Sequence, residues 1–213
     1  MSDTEFNKPR LAIGSSGWTH QQWNKDYYPE DMPAEWQLDF YSNHFPCVLM
    51  QSDEWENATE QQIMQWGEDV KSSFDFFISV DHQPDDKTIA QLEIIKKQLG
   101  GKLKGLVLSF AVQSLDKTGL AKLAAVTSLY IDTDEKTVAT DFISHCWRAQ
   151  RQVTNATIGF IDADSAKNIR EMRVQIEKFL QQSTDAQLYL FFDGVSPNTS
   201  RMQEAQVIFQ LIS

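Results

Sequence analysis

The chain has 213 residues, with 30 acidic and 19 basic side chains, a formal net charge of −11 and 41% hydrophobic content. That length suits one domain with a full buried core, and the low share of glycine and proline excludes a fibrous or disordered chain. Lys and Arg are scattered and form no run, so no binding to nucleic acid is expected, because a phosphate backbone selects a cationic face.

The segment Met1–Arg10 is polar and acidic, with no apolar signal core. The longest apolar runs, such as Gly105–Val112 and Leu188–Phe192, are too short to cross a bilayer. No membrane contact and a cytoplasmic location are expected. Cys47 and Cys146 lack any metal-binding spacing and read as buried thiols, Cys146 within a helical pattern.

In chain order, the apolar runs Arg10–Ser15, Cys47–Ser52, Phe74–Val80, Leu103–Phe110, Ser128–Ile131, Thr157–Ile161 and Leu188–Phe192 predict strands. They lack clean alternation, as strands buried on both faces of a parallel sheet do. Between them, Thr59–Lys71, Asp85–Leu99 and Asp164–Gln182 carry apolar residues at three- and four-residue spacing and predict helices. Ser196-Pro197 reads as the start of a last helix, Asn198–Ile212, and Gly100-Gly101 as a helix stop. The pattern is α/β. An open doubly wound sheet and a closed (β/α)₈ barrel both fit it; eight units would have roughly 27 residues each, near the lower limit for a barrel. Seven strands are clear, and an eighth would have to lie in Asp132–Thr154.

The opening Leu11-Ala12-Ile13-Gly14-Ser15-Ser16-Gly17-Trp18, followed by Trp23, Tyr27-Tyr28-Pro29, Trp36, Phe40-Tyr41 and Phe45, resembles the start of the YecE-like family, bacterial proteins of unknown function folded as TIM barrels. Phe74–Val80, Leu99–Phe110 and Leu188–Phe192 resemble its third, fourth and last units. The resemblance implies a TIM-like barrel over residues 1–213, irregular in one βα unit, with Gly14–Trp18 at the C-terminal mouth. The polar signatures depart from the family pattern. Leu49 or Met50 stands at the family's acidic position and Gln51 or a neighbour at its Asn, Ser79-Val80-Asp81-His82 has no lysine, and Phe192-Asp193-Gly194 replaces an F-N-N.

In such a barrel, ligands meet the C-terminal ends of the strands. Those ends supply the candidate ligand-binding residues Gly14, Ser15, Ser16, Gln51, Asp53, Asp81, His82, Asp132, Asp162 and Asp193. Oxygen ligands from several ends suit Mg²⁺ or Mn²⁺, with His82 as the nitrogen donor and Asp81, Asp162 and Asp193 approaching the barrel axis. The bland reading is that the Asp residues cap helices, Asp134 and Asp164 above all. The Gly14–Gly17 segment offers backbone N–H groups to an anion, or is simply a tight turn. Trp18, Trp23, Tyr27 and Tyr28 offer a stacking wall for a ligand, or form an apolar lid. Two functions follow. One is a barrel that binds a small molecule or a protein partner without catalysis. The other is a metal-assisted hydrolase or lyase acting on a phosphorylated or polyhydroxylated substrate.

Overall fold

Each of the seven apolar runs read as strands contains a strand of one parallel sheet. The computed structural model describes residues 8–111, 117–133, 143–151, 153–162 and 168–212. Its strands are β1 (Arg10–Ser16), β2 (Cys47–Met50), β3 (Asp75–Val80), β4 (Leu103–Leu108), β5 (Ser128–Ile131), β6 (Ile143–His145), β7 (Ile158–Asp162) and β8 (Gln187–Asp193). They run in the order β6-β5-β4-β3-β2-β1-β8-β7, and each neighbouring pair is parallel.

The two ends of that order meet. Trp147, just past β6, bridges to Gly159 of β7. Its N–H donates to the Ile158 carbonyl at 2.8 Å, and its carbonyl accepts from Phe160 N–H at 2.9 Å. The sheet is therefore curled into a TIM-like barrel, with β6 as the eighth strand inside Asp132–Thr154. Irregularity lies in the same region: among the described residues no helix connects β6 to β7.

The helices are α1 (Trp23–Asp26), α2 (Gln37–Ser42), α3 (Ser52–Trp55), α4 (Glu60–Asp69), α5 (Asp86–Leu99), α6 (Lys117–Val126), α7 (Ile169–Gln181) and α8 (Thr199–Ile212). Their starts follow side-chain capping. Thr59 and Gln62 form a reciprocal capping box before α4, and Asp85 accepts from Thr88 N–H at the start of α5. For α8 the capping oxygen is on Asn198, which accepts from Arg201 N–H at 3.0 Å. Ser196, the cap expected from sequence, lies two residues too early, because the Pro197 carbonyl is held by the Trp23 indole instead. Asp134 and Asp164 lie outside the described residues.

Alternation does exist in the strands, between two apolar surroundings. Ala12, Cys47, Leu49, Phe77, Val107, Cys146, Ile158, Phe160, Tyr189 and Phe191 form one buried cluster, in the barrel interior. Their chain neighbours Ile13, Val48, Phe76, Ile78, Leu106, Leu188, Leu190 and Phe192 pack outward with Leu38, Ile63, Leu92, Ile176 and Phe179 of the helices. Both faces are apolar, so the sequence reads as continuous. Cys146 follows a strand rather than sitting in a helix, which corrects the helical expectation, and both cysteines are buried free thiols. At Gly14 an added Cβ would stand 2.1 Å from the Cys47 carbonyl oxygen, so only glycine lets β1 and β2 approach there.

Candidate functional site

Period two carries each inward series past its last apolar residue to a polar one. Leu49 leads to Gln51, Ser79 to Asp81, Val107 to Ser109, Cys146 to Arg148 and Phe191 to Asp193. Gln51, Asp81, Ser109, Arg148 and Asp193, with Ser16, Leu49, Ser79, Val107, Asp132 and Phe160, line a cavity of about 150 Å³ at the C-terminal mouth of the barrel.

Arg148 organises that wall. Its Nε donates to Asp132 Oδ1 at 2.8 Å, and its Nη2 donates to Asp132 Oδ2 at 2.6 Å and to Asp193 Oδ2 at 2.7 Å. The guanidinium carbon lies 4.4 Å from the centre of the Phe160 ring. Arg151 Nη1 also donates to Asp132. Burial pushes the Asp132 carboxyl up, but the hydrogen bonds and charges of Arg148 and Arg151 outweigh it and hold the group below its usual value. Two strand-end acids thus already share a cation, supplied by a side chain.

Asp81, Asp132 and Asp193 come together, whereas Asp162 does not join them. It lines a neighbouring groove of about 350 Å³ with Arg148, Arg151 and Gln175. His82 faces away from the cavity, beside Glu56 and Asp85. Its Nδ1 bonds Asp81 Oδ1 at 2.8 Å and lies 3.5 Å from Glu56 Oε1. The carboxylates of Glu56 and Asp81 and the His82 ring place ligand atoms within 4.8 Å of one another. Asp53 is exposed on α3.

The turn after β1 does meet an anion, and it is internal. Trp18 N–H and the Thr19 hydroxyl donate to Glu54 Oε1 at 3.1 and 3.0 Å, and Gln51 N–H donates to Oε2 at 2.8 Å. Ser15 N–H and its hydroxyl both donate to the Tyr41 hydroxyl at 2.9 Å, and Gly17 N–H donates to the Leu49 carbonyl at 2.8 Å. These N–H groups are consumed, so Gly14–Gly17 presents no anion cradle of the expected kind. Ser16 differs: its hydroxyl is buried and has no partner among the described residues.

The aromatic cluster turns inward. Trp18, Trp23 and Tyr28 are buried and Tyr27 is partly so. Trp23 stacks on Tyr41 and meets Tyr27 and Tyr28 edge-on, and Trp18 meets Trp66. With Trp23 Nε1 donating to Pro197 and Tyr28 Oη to Trp18, the group is a packed cover, and its buried rings offer no stacking wall.

A family model described as "Protein of unknown function DUF72" matches residues 12–170. The chain belongs to the DUF72 family. Solved DUF72 structures are similar over almost the whole chain. One from Thermotoga maritima MSB8 is 13% identical, with TM-score 0.58, covering 95% of this chain and 99% of that one. Another, from Enterococcus faecalis V583, is 13% identical with TM-score 0.62, covering 96% and 97%. At such identities the likeness concerns the fold. No curated protein matches the sequence. Among the described residues no helix is long and apolar enough to cross a membrane.

Arg148, Ser109 and Glu54 are among the site residues that sequence reasoning missed in this DUF72 chain. Glu54 carries a legible signal, the Gln51-x-x-Glu54 spacing that lets an acid reach back to the backbone N–H before a helix, as its carboxylate does to Gln51 N–H at α3. Arg148 becomes legible only once Cys146-Trp147-Arg148 is read as in-out-in.

Proposed function

We propose that this DUF72 barrel binds a small polar molecule in the cavity at the C-terminal ends of its strands. The observation that carries the reading is the Ser16 hydroxyl. It is buried without a partner among the described residues, on a wall whose other polar groups come from six further strand ends. Leaving such a hydroxyl unsatisfied costs about 1–3 kcal/mol, a cost that a ligand hydrogen bond removes. Arg148, fixed by Asp132 and Asp193, gives the pocket a preorganised polar side, which limits the ordering cost of binding.

Thermal-shift screening against small metabolites tests the reading, comparing wild type with Ser16→Val. At least one compound raises the wild-type melting temperature, and the variant loses the shift while keeping its far-UV spectrum. A panel that shifts neither protein, or shifts both equally, overturns the reading.

A metal-assisted hydrolase or lyase is the second reading, favoured by the approach of Glu56, Asp81 and His82. Asp81 belongs both to that group and to the cavity, so Mg²⁺ or Mn²⁺ there would sit at the edge of the ligand site. Millimolar Mn²⁺ should then raise the melting temperature by mass action, and His82→Ala should abolish the rise. An unchanged melting curve with metal removes this reading and leaves the first.

A further inference from the structure

We infer that the ligand of the mouth cavity is a small uncharged polyol, held through its hydroxyl groups by Ser16, Arg148 and the carboxylates of Asp81 and Asp193. The inference rests on the binding reading above and narrows it to one chemical class. Three constraints lead to it.

Charge comes first. Three carboxylates and one guanidinium line the cavity, and that guanidinium is shared between Asp132 and Asp193. An entering anion would meet Asp193 on the same guanidinium that it needs, without a second unshared cation on the wall.

Hydrogen-bond polarity comes second. Ionised carboxylates only accept, so Asp81 and Asp193 select a ligand that donates. Among the described residues the Ser16 hydroxyl has no partner, and Arg148 donates through Nε and Nη2 but not through Nη1. Guanidinium nitrogens only donate, and so select a ligand that accepts. An ammonium group fails the second demand and a carboxylate or phosphate fails the first. A hydroxyl meets both, without bringing charge into a partly desolvated site.

Size comes third. The cavity of about 150 Å³ opens to solvent at the barrel mouth and accommodates a small ligand such as a three- or four-carbon polyol. Leu49, Val107 and Phe160 among the lining residues give the carbon chain an apolar surface.

Polyols stabilise proteins without a site, by exclusion from the surface, so the experiment compares enantiomers, for which exclusion is identical. Wild-type protein is melted in equal concentrations of D-threitol and L-threitol, and separately with erythritol, inorganic phosphate, malonate and glycine. The expected result is a larger rise with one threitol enantiomer than with its mirror image, a difference that Ser16→Val abolishes. Ser109→Ala, which alters the same wall without adding bulk, should reduce the difference and serves as the second variant if Ser16→Val folds poorly. Equal rises with the two enantiomers overturn the polyol inference. So does a rise with phosphate, malonate or glycine that exceeds the threitol effect, although the cavity then still binds a small polar molecule. A cavity that answers to no metabolite in the wider screen overturns the underlying reading as well.

Discussion

Tyr41 shows how one hydroxyl fixes the start of the barrel. Fully buried on α2, it accepts from Ser15 N–H and the Ser15 hydroxyl and donates to the Cys47 carbonyl, all at 2.9 Å. It thereby ties β1 to β2 at the level where Gly14 lets the two backbones approach. Tyr41→Phe leaves the N–H and the carbonyl buried without that partner, and should cost about 1–3 kcal/mol in urea unfolding, with packing retained. Glu54 performs a similar tie between the β1 turn and α3, but with a charge. Burial is the main cause that pushes its carboxyl up to about 6, against the lowering effect of its bonds from Gln51, Trp18 and Thr19. The folded protein therefore holds the Glu54 proton more tightly than the unfolded chain does, where the value is the ordinary 4.5. The resulting stabilisation is complete below pH 4.5 and is withdrawn as pH rises through 6. Urea midpoints for wild type and Glu54→Gln across this range provide the check: the stability difference, wild type minus variant, should fall between pH 4.5 and pH 7. A difference that grows with pH would contradict the assignment.

At the scale of elements, the loop between β3 and α5 separates the two roles that an Asp after a strand can take. Asp81 continues the inward series of Phe77 and Ser79 and lines the cavity, while Asp85 turns to the helix and caps Thr88. Asp85→Ala should cost about 0.5–2 kcal/mol by urea unfolding and leave ligand response at the mouth unchanged. Asp81→Ala should do the reverse, because among the described residues the Asp81 side chain bonds the exposed His82 ring and caps no helix. This pair also shows what sequence makes legible. Strands such as Phe74–Val80 announce themselves because both of their faces are apolar, and Asp85–Leu99 because its stripe and cap agree. β6 announces nothing, since Ile143, Ser144 and His145 are three half-buried residues with one apolar member. Missing β6 hid the direction of Arg148, and so the acids at the neighbouring strand ends read as an unbalanced cluster suited to a metal. The aromatic opening was legible as a motif, but whether its rings face a ligand or the core depends on contacts with Tyr41, Trp66 and Pro197 that are remote in sequence.

For the molecule as a whole, the seam between β6 and β7 is where the ring is most lightly closed. β1 and β8 share six residue pairs and β7 and β8 share five, whereas β6 and β7 meet through the Trp147–Gly159 bridge. The seam is reinforced from the mouth. Arg148, one residue beyond Trp147, reaches Asp132 after β5 and Asp193 at the end of β8, so one guanidinium spans both sides of the closure. Amide exchange should follow this order, with Trp147 and Phe160 exchanging before Ile13 and Leu190, since opening begins where backbone pairing is sparsest. Arg148→Met should widen the gap. It leaves Asp132, whose side chain is 8% exposed, with Arg151 as its remaining cationic partner among the described residues, and breaking a buried pair of this kind costs roughly 3 kcal/mol near neutral pH. Because the Asp132 carboxyl lies below its usual value in the folded state, the stabilisation from the pair is present above the ordinary carboxylate value and is lost as pH falls through the lowered one. The penalty of Arg148→Met should therefore shrink in acid. Accelerated exchange confined to the seam, with β1 and β8 unchanged, identifies Arg148 as the clasp of the barrel; uniform acceleration of all eight strands would mean that the mouth contributes to global stability alone.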